Sequence, residues 1–270
     1  MAVDNKKPQI LLTNDDGIES PGLWAAAEAL SDLGYVWVAA PREQKSGMGR
    51  SMPADSDGRI TRQLLTVHGQ EWTVFAVGGS PAQTVLHSIY EIMDQPPDLV
   101  VSGINYGLNL ALGMTMSGTV GAAIEAAVNG IPAIAISRET AVEHYLSNSA
   151  EVDFSTAAYF TKKFASHLLQ QGRRDDYSFL KIEVPMDATP DTEWAFCRLS
   201  LQRFYKLWAE PRDLDRPGFL HFAPRTDFDT FKPGTDVYTA KVEHKVAVTP
   251  ITLDMTARVD FEALRKDFEG

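Results

Sequence analysis

The chain has 270 residues, with 25 Lys or Arg against 36 Asp or Glu and a formal charge of −11. That balance argues against duplex nucleic acid and anionic membrane surfaces as partners, because both demand a basic footprint. A 44% hydrophobic and 23% charged content is that of a globular chain long enough to bury its own core, and the lone Cys197 excludes an intrachain disulfide or a Cys-based metal site.

In chain order, the amino terminus (MAVDNKKPQI) has no apolar core after its charges and reads as no secretory signal. Gln9–Thr13 (QILLT) is expected as a buried parallel strand. Pro21–Leu33 carries a helical pattern with Gly34 as its C-cap, and Tyr35–Ala40 (YVWVAA) is a second strand stopped by Pro41. A polar, glycine-rich loop spans Pro41–Gly58. Arg59–Val67 and Glu71–Val77 are expected to pair around His68-Gly69-Gln70. Ser80–Asp94 is helical, with Ser80 as N-cap and Pro81 in the first turn. Asp98–Ser102 and Ile131–Ser137 are strands flanking a helix from about Thr119 to Asn129. Strands separated by helices imply βαβ units and a mainly parallel sheet, an α/β body. The long charge-free run from Leu99 to Ile124 is too rich in Gly, Ser, Thr and Asn for a bilayer-spanning helix, so a soluble protein of a reducing compartment, the cytoplasm, is expected.

After residue 150 the pattern changes. Asp153–Gln171 is an amphipathic helix and Ser178–Pro185 a strand. Residues 190–250 are rich in aromatics and prolines with β-like alternation, as in Asp236–Thr249, and read as a β-rich extension. Asp260–Phe268 is a short charged helix.

Four segments carry candidate chemistry. Thr13-Asn14-Asp15-Asp16-Gly17 follows the first strand, where ligands bind in open parallel sheets. Adjacent carboxylates repel unless a cation sits between them, although Asn, Asp and Gly are equally turn formers. Ser117-Gly118-Thr119-Val120-Gly121 opens a helix and offers hydroxyls and free N–H groups to an anion, or plain N-capping. Ser102–Asn109 places Asn105 and Asn109 past a strand, as neutral ligands or as loop-stabilising amides. Gln44–Ser51 is a glycine-rich loop with Lys45 and Arg50, a phosphate cover or a surface loop. Together they gather oxygen ligands and an anion-binding helix start at one end of one sheet, which points to divalent-metal phosphoester chemistry.

In this order, these segments resemble the SurE family (survival protein E) of metal-dependent nucleoside monophosphate phosphatases. Asn14–Gly17 is similar to the family's Asn-Asp-Asp-Gly, and Pro41 with Lys45-Ser46-Gly47 to its Pro…Gln-Ser-Gly loop. Ser102–Asn109 resembles its Ser-Gly-Ile-Asn-x-Gly-x-Asn, and Ser117–Ala123 its Ser-Gly-Thr-Val-x-Ala-Ala helix start. Two strand-like stretches fit as well, Asn129–Ser137 and Gly234–Val237 with Val248–Pro250. The resemblance implies that Asp15, Asp16, Ser46 and Asn105 hold one divalent ion per subunit, magnesium or manganese, with calcium an alternative in a crystal. It implies that Asp15, Asp16 and Asn105 are catalytic, and that Asn14, Ser46, Gly47, Asn109, Ser117, Gly118 and Thr119 contact a nucleoside 5′- or 3′-monophosphate. Short polyphosphate is a further substrate class left open. It also implies a Rossmann-like three-layer body over 1–189, an oligomerisation extension over 190–250 forming a homodimer or homotetramer, and a segment 251–270 packed on the body.

The chain departs from the family pattern in three places. Leu112, Gly113 and Met116 stand where an acidic pair and a tyrosine are frequent. Ser80–Thr84 differs from Thr-Pro-Ala-Asp-Cys, and Lys181-Ile182-Glu183-Val184-Pro185 replaces Asn-Val-Asn-x-Pro. No histidine falls in the shared motifs. Two rival readings remain at this level. One is an aspartyl-phosphate phosphatase of the haloacid dehalogenase type, whose two acids are separated by one residue. The other is a non-catalytic nucleotide-binding module.

Overall fold

The computed structural model describes residues 7–145 and 147–269. Residues 1–6, part of the stretch read as carrying no secretory signal, lie outside the described residues. The elements run β1 (Gln9–Thr13), α1 (Pro21–Ser31), β2 (Tyr35–Pro41), β3 (Ile60–Val67), β4 (Gln70–Val77), α2 (Pro81–His87, extended by a π-turn over Ser88–Ile92), β5 (Leu99–Tyr106) and α3 (Gly118–Val128). They continue with β6 (Ala133–Arg138), α4 (Ser155–Gln171), β7 (Phe179–Val184), β8 (Trp194–Phe196), β9 (Tyr205–Ala209), β10 (Leu220–Pro224), α5 (Asp236–Lys241), β11 (Val246–Ile251) and α6 (Phe261–Glu269).

Nine strands form one sheet in the order β3-β4-β2-β1-β5-β6-β7-β11-β8. Its centre is parallel, and β3 and β11 each run antiparallel to a neighbour. Apolar residues alternate across the pleat. Ile10 and Leu12 of β1 pack with Leu23, Trp24 and Leu30 of α1 and Phe160 and Phe164 of α4 on one face. Leu11 faces Val85 of α2 and Val120, Ala123 and Ala126 of α3 on the other. This is the expected three-layer α/β body, buried on both faces as a parallel sheet requires.

The chain leaves β1 through α1 to β2 on one side and returns later to β5 on the other. The crevice past the carboxyl ends of β1 and β5 is therefore the topological switch point, the usual ligand position in such sheets. Within the expected α2, Ser80 caps as read: its hydroxyl accepts from the Gln83 N–H while Gln83 returns a bond to the Ser80 N–H. At the end of α1 the cap is Asp32 rather than Gly34.

Four further readings change. The strand expected to stop at Ser102 continues to Tyr106 as β5, with a register shift between Ser102 and Asn105, so Asn105 lies on a strand end rather than in a following loop. The run Asp236–Thr249 is not all strand: Asp236–Lys241 is a helical turn with Val237 and Ala240 buried at i, i+3, and only Val246 onward is strand. Within 190–250, β8 and β11 join the main sheet, and only the β9–β10 hairpin forms a separate sheet. The helix α6, expected to pack on the body, buries none of its residues. Its apolar positions form a stripe at helical spacing, which satisfies the amphipathic pattern although none of them is buried among the described residues.

Candidate active site

The turn after β1 is built by its own side chain. Asn14 Nδ2 donates to the Gly17 carbonyl (3.0 Å) and Asn14 Oδ1 accepts from the Gly17 N–H (3.1 Å). Gly17 has φ +97°, a left-handed conformation that glycine adopts without strain. The turn thereby buries Asp15 and Asp16 side by side. Thr119 Oγ1 donates to Asp15 Oδ1 at 2.5 Å. A Cβ on Gly118 would lie 2.7 Å from the Asp15 Cβ, so only glycine lets the start of α3 approach this closely. Burial raises the Asp15 carboxyl above its ordinary range, and the Thr119 hydroxyl with the Thr119 and Gly118 N–H groups pulls it back. Asp16 is raised well above its ordinary range, first by burial and then by the charge of Asp15. Its oxygens accept from Gln44 Nε2 (3.2 Å) and the Tyr106 N–H (3.3 Å).

Two further segments close on this pair. Lys45 donates its N–H to the Asp15 carbonyl (2.7 Å) and Ile18 donates to the Pro41 carbonyl (3.0 Å), so the long loop is tied to the β1 turn. Ser46 and Gly47 follow directly and are exposed. Arg50 pairs with the buried Glu125 of α3 at 2.6 Å, and the Gly49 N–H donates to the Met116 carbonyl (2.8 Å). From β5, Asn105 Nδ2 donates to the carbonyls of Tyr106 (3.2 Å) and Gly107 (2.8 Å). Asn109 donates its N–H to Glu183 Oε2 (2.8 Å) and its Nδ2 to Ser137 Oγ (3.0 Å). Ser117 caps α3, accepting from the Val120 N–H (3.2 Å).

The turn, the β5 end, the α3 start and the loop carrying Ser46 thus converge at the switch point, while the side chains divide the work differently from expectation. Asn14 shapes the turn, and Thr119 holds Asp15. By sequence Gln44 is only the first residue of the Gln44–Ser51 loop, and Asn148, whose Nδ2 donates to the Asp16 carbonyl (3.4 Å), is not singled out. Their partners are 28 and 132 residues distant, beyond the reach of any local pattern. Three of the six histidines sit in surface pairs, His68 with Glu28, His87 with Glu91 and His244 with Asp187. His221 stacks on Trp208 of the hairpin.

The donor set suits a hard divalent cation: two adjacent buried carboxylates with raised affinity for positive charge, and neutral oxygens around them. Thr13 Oγ1 at the end of β1 and Ser102 Oγ opposite it within β5 are buried without a partner among the described residues. Among the described residues no group of three or more His, Cys, Asp or Glu is placed to hold a metal. A site here therefore rests on two carboxylates completed by amide, hydroxyl or water oxygens.

Comparison with known proteins agrees with this geometry. The family model described as survival protein SurE matches residues 10–206. A protein named 5′-nucleotidase SurE from Thermococcus gammatolerans is 44% identical over 262 residues, covering 97% of this chain and 96% of its own. The protein of the same name from Archaeoglobus fulgidus is 38% identical over 263 residues, covering 97% and 98%. The crystal structure of a SurE protein from Aquifex aeolicus superposes with a TM-score of 0.75 at 30% identity, covering 97% of this chain and 100% of that one. With the Asp15–Asp16 turn, the Asn105 strand end and the Ser117–Thr119 helix start in one crevice, the chain belongs to the SurE family.

Proposed function

We propose that this protein is a metal-dependent phosphatase that hydrolyses nucleoside 5′-monophosphates, and 3′-monophosphates as a second class, to nucleoside and phosphate. The observation that carries the reading is the buried Asp15–Asp16 pair at the mouth of an α-helix start, a cation site beside an anion site. The relatives named 5′-nucleotidase SurE support the substrate class. One magnesium or manganese ion per subunit, held by Asp15, Asp16, Asn105 Oδ1 and Ser46, would supply Lewis-acid polarisation of a phosphoryl oxygen.

The chain's own residues set the rest. Thr119 and the first N–H groups of α3 fix the Asp15 carboxylate, so that its free lone pairs are aimed without reorganisation. Gln44 and the Tyr106 N–H do the same for Asp16. Asn109 Nδ2 has a second hydrogen beyond the one given to Ser137, and it is assigned to the phosphoryl oxygens with Ser117 and the α3 start. Ser46 and Gly47 sit on the exposed loop that closes over this end. Water attacks the phosphorus in line while the nucleoside oxygen leaves. An aspartyl-phosphate mechanism is disfavoured, because Asp15 is engaged by Thr119 and α3 and adjoins its partner acid directly.

The exposed apolar residues Leu207, Trp208, Leu220 and Phe222 of the hairpin and Phe261, Leu264 and Phe268 of α6 support a homodimer or homotetramer. No helix among the described residues is long and apolar enough to cross a membrane; a cytoplasmic location is part of the reading, supported by the single buried, unpaired cysteine. The test is phosphate release from a panel of nucleoside 5′- and 3′-monophosphates and an aryl phosphate under magnesium and manganese. Release from the 5′-monophosphates is expected. Nucleotide binding with no turnover under any divalent metal would instead establish a non-catalytic module.

A further inference from the structure

Behind the site lies an ion cluster that no step above uses. Lys181 and Glu183 are two residues apart on β7 and so project to the same face. Lys181 Nζ donates to Glu183 Oε1 and to Asp236 Oδ2, each at 3.1 Å, and all three side chains are fully buried. Each carboxylate then reaches backbone. Glu183 Oε2 accepts the Asn109 N–H at 2.8 Å, and Asp236 Oδ2 accepts the Ala111 N–H at 2.9 Å. Asp236 Oδ1 accepts the N–H groups of Ser200 and Val237, each at 2.9 Å.

The short stretch Asn109–Ala111 is therefore clamped at both ends by two carboxylates bridged through one ammonium. Leu110 between them is fully buried, and Ala111 is held at φ +53°, a left-handed backbone that a non-glycine residue keeps only under external constraint. Ser137, which accepts from the Asn109 side chain, lies opposite Glu183 in the β6–β7 register. The cluster thus holds the backbone of Asn109 directly, while its amide is held by Ser137 on the neighbouring strand. The chain carries Lys and Glu at the two β7 positions where the family pattern reads Asn, so neutral amides there are exchanged for charge-assisted bonds.

We propose that Lys181, Glu183 and Asp236 are positioning residues that set Asn109 against the phosphoryl group. This rests on the assignment of Asn109 made above. The cluster acts on substrate grip through one residue and leaves the metal site untouched, because none of its bonds reaches Asp15, Asp16 or Asn105.

The test is a double-mutant cycle between the cluster and Asn109. Lys181→Met/Glu183→Leu removes one buried charge of each sign with side chains of similar volume and leaves Asp236 its three backbone donors, a replacement that buried ion pairs often tolerate. The expected result is a KM for nucleoside monophosphate raised about tenfold or more with kcat changed much less, and inhibition by inorganic phosphate weakened in parallel. Manganese affinity, read by calorimetry without substrate, is expected to be unchanged. In an Asn109→Ala background the same pair should raise KM less than about twofold, because the residue it acts through is gone. A folded paired variant with wild-type KM, or a KM increase that persists in full in the Asn109→Ala background, overturns the inference. Should the paired variant fail to fold, Glu183→Gln keeps one acceptor oxygen, and the same cycle with the same two results decides. If Asn109→Ala itself leaves KM and phosphate inhibition unchanged, the assignment of Asn109 falls first.

Discussion

The Asp15–Asp16 pair, to which the proposed chemistry is assigned, costs the fold stability. Burial raises both carboxyls, and the charge of Asp15 pushes Asp16 further, so the metal-free folded state holds protons that the unfolded chain releases near the ordinary value of 3.8. For a group raised on folding, the associated stability is complete below 3.8 and is lost as pH climbs through the folded value. The contribution of this pair to the melting temperature of the metal-free protein should therefore fall as pH rises from 3.8. Asp16→Asn, which has no proton to lose, should melt higher than wild type in alkaline buffer and show no advantage at acid pH, while losing the stabilisation that manganese gives wild type. Thermal melts across pH, with and without manganese, check this; a variant that melts lower than wild type at every pH contradicts it. At this scale the acids and Asn105 were legible, because strand ends in a parallel sheet are where ligands bind. The roles of Thr119 and Gln44 were not, since their partners lie 104 and 28 residues away.

Among the elements, the β5 end, the α3 start and the 41–58 loop have to meet at close quarters, and small residues make that contact. A Cβ on Gly121 would stand 2.1 Å from the Gly49 carbonyl oxygen, a backbone atom that cannot step aside alone. Gly121→Ala is expected to push the loop off α3, destabilise the protein by about 1–3 kcal/mol and reduce activity, since Ser46 rides on that loop. A melt unchanged within about 1 °C together with wild-type activity would contradict this. Elements with a clear period or cap were legible from sequence, as at β1, β2 and the Ser80-capped α2. The segment Asp236–Lys241 was not: its alternation of small polar and apolar residues mimics a strand, and the helical turn is dictated by the Asp236 carboxylate reaching Lys181 and three backbone N–H groups. The exposed α6 escaped for the complementary reason, as amphipathic periodicity says that a helix has a partner face without saying that the partner is in the same chain.

For the whole molecule, strand order brings together residues 15, 46, 105 and 117 that the sequence only places in order, and the switch between β2 and β5 on either side of β1 is what turns four weak motifs into one crevice. The hairpin and α6 leave large apolar side chains exposed, Phe219 82% and Phe268 85%, which supports the proposed oligomer. Light scattering is expected to give a dimer or tetramer for wild type, and a smaller particle for Trp208→Glu/Leu220→Glu; a monomeric wild type would contradict the oligomer. The charge of −11 sharpens the requirement at the centre: in an acidic molecule, an anionic ester is held only where a cation and a helix start outweigh the background. The central claim is therefore tested most directly by phosphate release from a nucleoside 5′-monophosphate with manganese, with excess chelator, and with Asp15→Ala in the presence of manganese. The account predicts turnover in the first case, none in the second, and a loss of at least about a hundredfold in the third; sustained release in chelator, or full activity of Asp15→Ala, would contradict it.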